Sequence, residues 1–145
     1  MAEDIDSVID SVGVVVLQGS SVLLFDHGSS AKHPTGAVGL PAGRVEPGET
    51  KQIAAGRELK EEAGLIAHNL YPLPKTYQAT LRWNGRDQPF RFFPYLCTSY
   101  SGEVSACKEG KPIWVELRQV SDYELIGDGQ EVIQDAIKLR VLLGI

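Results

Sequence analysis

The sequence predicts an α/β fold, a mixed β-sheet sandwiched between helices. Three observations carry that expectation. Apolar runs of strand length, rich in β-branched residues, are spread along the chain at 11–17, 22–25, 37–40 and 113–117. A capped helical stretch at 51–63 falls between them, and an amphipathic one follows Val132. Interleaved strands and helices favour a layered sheet over a separate all-β or all-α body.

Taken in order, residues 1–10 are acidic and polar and are expected to fray. SVGVVVL (11–17) and VLLF (22–25) read as paired strands across the turn-like Gln18-Gly19-Ser20. Residues 26–36 are turn formers and polar groups, a loop in which His27, Lys32 and His33 read as a solvated face, with contact to an anionic ligand the alternative. Residues 37–40 form a short strand that Pro41-Ala42-Gly43 turns into the following loop. Thr50 is the expected N-cap of a helix over 51–63, and Gly64 its C′ stop. Residues 65–74 read as irregular, restricted by Pro72 and Pro74. Two strands, 75–83 and 90–98, flank Asn84-Gly85, with 84–88 as the hairpin loop. Residues 100–112 read as loop, and IWVEL (113–117) as a strand. Asp128-Gly129-Gln130-Glu131 resembles a capping box that opens the last helix. Val132, Ile133, Ala136, Ile137 and Val141 then recur at helical spacing.

The 145 residues fit one domain, 1–145, long enough to bury a core, and 43% hydrophobic with 23% charged residues is ordinary for a globular chain. A net charge of −5 argues against a broad face for polymeric nucleic acid. No apolar run approaches the roughly 18 residues of a membrane span, and the N-terminus lacks a basic-then-apolar leader. The expectation is a cytoplasmic protein. Cys97 and Cys107 show no C-x-x-C spacing and read as reduced thiols.

The most specific stretch is 43–65, GRVEPGETKQIAAGRELKEEAGL. Its spacing is Gly43, five residues, Glu49, seven residues, then Arg57-Glu58-Leu59-x-Glu61-Glu62-x-Gly64-Leu65. Seven positions demand one identity each, and at about 7% usage per residue chance gives on the order of 10⁻⁸ per start site. On a helix Glu58, Glu61 and Glu62 share an arc of roughly 100°. Their mutual repulsion costs a few tenths of a kcal/mol per i,i+4 pair, and a hard divalent cation would offset it. Glu61-Glu62 alone would be an ordinary solvated acidic face. The glycine-rich loop, Glu49 and Arg57 at this spacing set it apart.

The stretch resembles the Nudix box, the signature of hydrolases that cut nucleoside diphosphates linked to another group. The resemblance covers essentially the whole chain and implies the Nudix fold. It implies that Glu58 and Glu62 ligate Mg²⁺ or Mn²⁺, with Glu61 as a further ligand or as the base on the attacking water. Arg57 is implied to pair with Glu49 and lock loop to helix, Gly43 to permit the loop's path, and the backbone carbonyl of Ala42 to join the metal. Many members carry Gly where this chain has Ala42. A shorter match, Lys108-Glu109-Gly110-Lys111-Pro112 followed by Trp114, looks like the loop that in MutT-type enzymes brings one more carboxylate, here Glu109.

The box leaves the substrate open. Phe25, Tyr77, Trp83, Phe92, Phe93 and Tyr95 are available to stack a base, though most aromatics on alternating strands are core. Dinucleoside polyphosphate hydrolases tend to carry a Tyr sixteen to eighteen residues past the box, where this chain has Leu81, Arg82 and Trp83. The extra motif of coenzyme A hydrolases is missing. ADP-ribose hydrolases usually have an added N-terminal segment, but their loop often reads like Leu40-Pro41-Ala42-Gly43. The expectation is a MutT-like enzyme that converts a nucleoside triphosphate, intact or damaged, to monophosphate and pyrophosphate. ADP-ribose or a nucleotide sugar is the alternative substrate, and a non-catalytic Nudix-fold binding module the alternative class. The expected partner is a small nucleotide, with the protein a monomer or homodimer.

Overall fold

The computed structural model describes residues 7–28 and 38–145. At its centre is β1 (Ile9–Gln18), whose alternate side chains leave on opposite faces of the sheet. Val12, Val14 and Val16 pack against Ala54, Ala55, Leu59 and Ala63 of helix α1 (Lys51–Ala63). Val15 and Leu17 pack against Val132, Ile133 and Ala136 of helix α2 (Gly129–Leu143). A strand covered on both faces has no polar side to alternate with, which is why residues 11–17 read as a continuous apolar run. The result is the α/β/α sandwich expected.

The sheet is mixed. β1 runs antiparallel to β2 (Ser21–Asp26) and to β4 (Ala42–Arg44), and parallel to β8 (Arg86–Cys97) over the register Ile9↔Phe90 to Val16↔Cys97. β2 also carries β3 (Val38–Gly39) and β10 (Lys111–Glu116). β8 pairs with β6 (Tyr71–Pro72) and β7 (Tyr77–Trp83). β5 (Ile66–Ala67) and β9 (Tyr100–Ser101) make a separate two-stranded pair, and a 3-10 turn over Leu117–Asp122 follows β10. The parallel β1–β8 pair needs a long crossover, and α1 lies within it.

Helix α1 has the predicted bounds. Thr50 accepts from the Ile53 N–H at 3.1 Å, and Gly64, at φ 78°, donates to Lys60 O at 2.9 Å. Several other expectations are corrected. Of residues 1–10, expected to fray, Ile9 and Asp10 are strand and the buried amide of Gln88 holds Ser7 by its carbonyl at 3.0 Å, while residues 1–6 lie outside the described residues. Residues 65–74 and 100–112, read as irregular, contain β5, β6, β9 and the start of β10, too short to show any period. The hairpin loop shrinks from five residues to Asn84-Gly85, with φ 52° and 78°, because exposed Arg86 and Asp87 continue the ladder opposite Trp83 and Arg82. At α2 the capping box does not form. Asp128 makes no side-chain cap bond, and Gln130 ties the helix start down by donating to Val120 O and Tyr123 O. Cys97 and Cys107 are both free thiols. Among the described residues no helix is long and apolar enough to cross a membrane.

Candidate active site

The three-residue strand β4 joins the two halves of the site. An antiparallel ladder turns backbone groups alternately toward and away from the neighbouring strand. Val14 N–H donates to Pro41 O and Val45 N–H to Asp10 O, both at 3.0 Å, so positions 41 and 45 face β1. Ala42 and Arg44 turn their backbone groups the other way, onto α1. There the Ala42 N–H donates to Glu62 Oε1 at 2.8 Å, and the Arg44 carbonyl accepts from Arg57 Nη2 at 3.0 Å.

Arg57 organises the acidic face. It grips Glu49 with two bonds, 2.6 Å from Nε and 2.9 Å from Nη2, and gives Nη1 to Glu58 at 2.6 Å and Glu61 at 3.2 Å. Arg57 therefore joins loop to helix, and the same guanidinium also bonds two of the helix carboxylates. Glu49 is held below the usual carboxylate range by its bond to Arg57, and Glu46 N–H adds to this. Burial pushes Glu58 up, opposed by Arg57. Burial pushes Glu62, only 5% exposed, up to about 8 against the pull of the Ala42 N–H, with Glu58, Glu109 and Glu61 adding repulsion.

Gly43 is required by space rather than by backbone path, which corrects the expectation. A Cβ there would stand 2.0–2.5 Å from the Glu58 carboxylate, and its φ is not left-handed. Gly48, at φ 85°, is the position where the loop needs a left-handed residue.

Glu109 sits on a tight turn closed by Cys107 N–H to Gly110 O at 2.9 Å. Gly110 lets this turn abut β2, since a Cβ would stand 2.2 Å from Asp26 O. The turn, Asp26 and His27 line a polar cleft of about 450 Å³. Glu109 is close enough to raise both Glu58 and Glu62 electrostatically. Among the described residues no three carboxylate, imidazole or thiol groups stand together as a finished metal cage; Glu58 and Glu61 are engaged by Arg57.

On the far side of β4 lies a cavity of about 240 Å³, walled by Tyr77, Trp83, Phe90 and Phe92, with Ala42, Gly43 and Arg44 at its border and Asp128 and Gly129 from the start of α2. His27 lines both the cavity and the polar cleft. Of the aromatics picked from sequence, Tyr77, Trp83 and Phe92 face this cavity, whereas Phe25, Phe93 and Tyr95 belong to the packing on the sheet faces. Lys32 and His33 lie outside the described residues. Arg44, Phe90 and Asp128 were not picked from sequence. Arg44 directly follows the box glycine, and that adjacency was the available signal for it. Phe90 and Asp128 reach the cavity only through the hairpin's register and the placing of α2.

The raised Glu62 gives a pH prediction. The folded, metal-free chain keeps this proton up to about pH 8, whereas an unfolded one loses it near 4.5. The stability it contributes is whole below 4.5 and is lost as pH rises through about 8. The Tm in EDTA should therefore fall from pH 5 to 8 more steeply than that of Glu62→Gln, whose side chain cannot titrate. Thermal scans across that range check it, and parallel slopes would remove Glu62 as the cause.

The family model described as NUDIX domain matches residues 8–136. The chain is 35% identical over 103 residues to an RNA pyrophosphohydrolase of Erythrobacter litoralis (strain HTCC2594), covering 62% of this chain and 62% of that protein. In structure it is similar to a MutT NUDIX hydrolase from Burkholderia pseudomallei, with a TM-score of 0.76 and 19% identity over 90% of this chain and 98% of that one. It is similar, too, to the NUDIX domain of Shewanella oneidensis NrtR complexed with ADP ribose, with a TM-score of 0.72 and 18% identity over 92% and 88% of the two chains. At such identities the structural likeness speaks to the fold.

Proposed function

The chain belongs to the NUDIX family, and from that membership we propose that it hydrolyses a phosphoric anhydride bond in a nucleoside diphosphate derivative, using a divalent cation. The preferred substrate is a nucleoside triphosphate, cut to monophosphate and pyrophosphate. The observation that carries this reading is that one strand, β4, borders both the carboxylate cluster of α1 and an aromatic cavity of nucleoside size.

The residues fit a hard cation. Their side-chain donors are all carboxylate oxygens, and burial plus crowding disfavour charge on Glu58 and Glu62, a cost that a bound cation would relieve. Glu58, Glu62 and the Ala42 carbonyl would hold it, with Glu61 and Glu109 completing the set. Bound there, Mg²⁺ or Mn²⁺ would lower the pKa of a water and neutralise phosphate charge. The chain's own residues do the rest. The Ala42 N–H fixes the Glu62 carboxylate, and Arg57 fixes Glu58 while tying α1 to the Glu49 loop. Glu61 and Glu109 are exposed, so either reaches solvent to take the proton of the attacking water. His27 and the lysines at 108 and 111 border the polar cleft where an anionic leaving group would emerge.

A panel assay with Mg²⁺ or Mn²⁺ tests the proposal. It comprises nucleoside triphosphates, ADP-ribose, nucleotide sugars, dinucleoside polyphosphates and, given the relative's name, a 5′-triphosphorylated RNA. Release of phosphate or pyrophosphate is expected from at least one. Silence across the panel overturns the hydrolase and leaves the binding module. ADP-ribose or nucleotide-sugar turnover without triphosphate turnover selects the second substrate class.

A further inference from the structure

We propose that Arg44 and Trp83 form a two-sided clamp on the aromatic ring of the ligand, so that the cavity selects nucleotides through their base. The proposal rests on the nucleotide-hydrolase reading above and adds the residues that hold the base. The Arg44 guanidinium carbon lies 5.2 Å from the centroid of the Trp83 ring, and both residues line the cavity. Phe90 meets the indole edge-on, at 5.9 Å and 76°, and so sets the plane in which Trp83 presents its face.

Arg44 differs from its neighbours in what it leaves unpaired. Arg82 holds Asp87 and Arg91 holds Asp10, whereas Arg44 makes no ion pair among the described residues. A planar cation resting on an indole without a carboxylate partner moves aside at little cost. It then gains a second stacking surface when a base takes its place on Trp83. Its backbone cannot follow. The Arg44 carbonyl is bonded to Arg57, and Arg44 sits opposite Ser11 in the ladder. One jaw is thus built into the strand that abuts Glu58 and Glu62, and the other into the tip of the β7–β8 hairpin. A base held between them stands at a set distance from the carboxylates. The same pair could merely tie the hairpin tip to the sheet, and the test separates the two roles.

The chain has two tryptophans, so Trp114→Phe leaves Trp83 as the sole indole reporter. In EDTA, AMP and GMP should change its emission saturably, and ribose 5-phosphate, which has no base, should not. Trp83→Leu should raise KM about 5- to 150-fold with kcat little changed, the range expected for one base–aromatic stack. Arg44→Ala, at an exposed position that leaves the fold alone, should raise KM about 2- to 5-fold. The clamp is overturned if Trp83 emission ignores AMP and GMP, if ribose 5-phosphate moves it equally, or if Arg44→Ala leaves KM unchanged for a substrate that is hydrolysed. If AMP shifts the emission but nothing in the panel is hydrolysed, the hydrolase reading fails and the clamp stands.

Discussion

Glu62→Gln should lower kcat by about 10²- to 10⁴-fold while the protein stays folded, the span expected when a charged group is removed from the reacting centre. Glutamine is nearly isosteric and keeps an oxygen to accept the Ala42 N–H bond, 2.8 Å long in the parent. It also removes a group that the fold must keep protonated up to about pH 8, where the unfolded chain ionises it from about 4.5. The metal-free Tm should therefore hold or rise, and the Tm gain on adding Mg²⁺ should vanish. Glu58→Gln should behave alike in rate, because its oxygen still accepts from Arg57. Glu103→Gln, at an exposed site, is the control. A loss no larger than the control's would sink the metal assignment on α1.

Gly43→Ala should cost activity on a similar scale with little effect on stability. The added Cβ would lie 2.0 Å from Glu58 Oε2, so the carboxylate must swing away. That oxygen is the end of a flexible side chain, so the fold yields cheaply. Glu58, however, would lose the position in which Arg57 holds it. Because Gly43 has no left-handed φ, backbone strain does not contribute. Urea unfolding and steady-state kinetics on one preparation check the split. Equal losses in stability and rate would mean that Gly43 serves the backbone after all.

Helix α1 was legible to the residue because its signals are local. Thr50 caps through a side chain three residues from its partner, and Gly64 stops the helix through its own φ. The double-sided burial of β1 was equally plain in its apolar run. The short strands β5, β6 and β9 were not, since two residues carry no period and owe their state to partners 23 to 35 residues away. Asp128-x-x-Glu131 misled for the same reason. The local pattern was right, but Gln130 found carbonyls in the preceding turn, and Glu131 found Lys75 on the approach to β7.

The sequence by itself determined the family, through seven fixed positions at fixed spacing, along with the sandwich class and the four acidic residues to suspect. Those features are written in chain distance, and a helix converts chain distance into a shared face without outside help. Only the structure showed that Arg57, besides pairing with Glu49, also bonds Glu58 and Glu61. It also decided that Gly43 makes room for a carboxylate and that Arg44 lies over Trp83 across the cavity. The Gly43 and Arg44 contacts depend on where a strand or hairpin from elsewhere in the chain comes to rest. That is set by packing on both faces of β1, which no local spacing encodes.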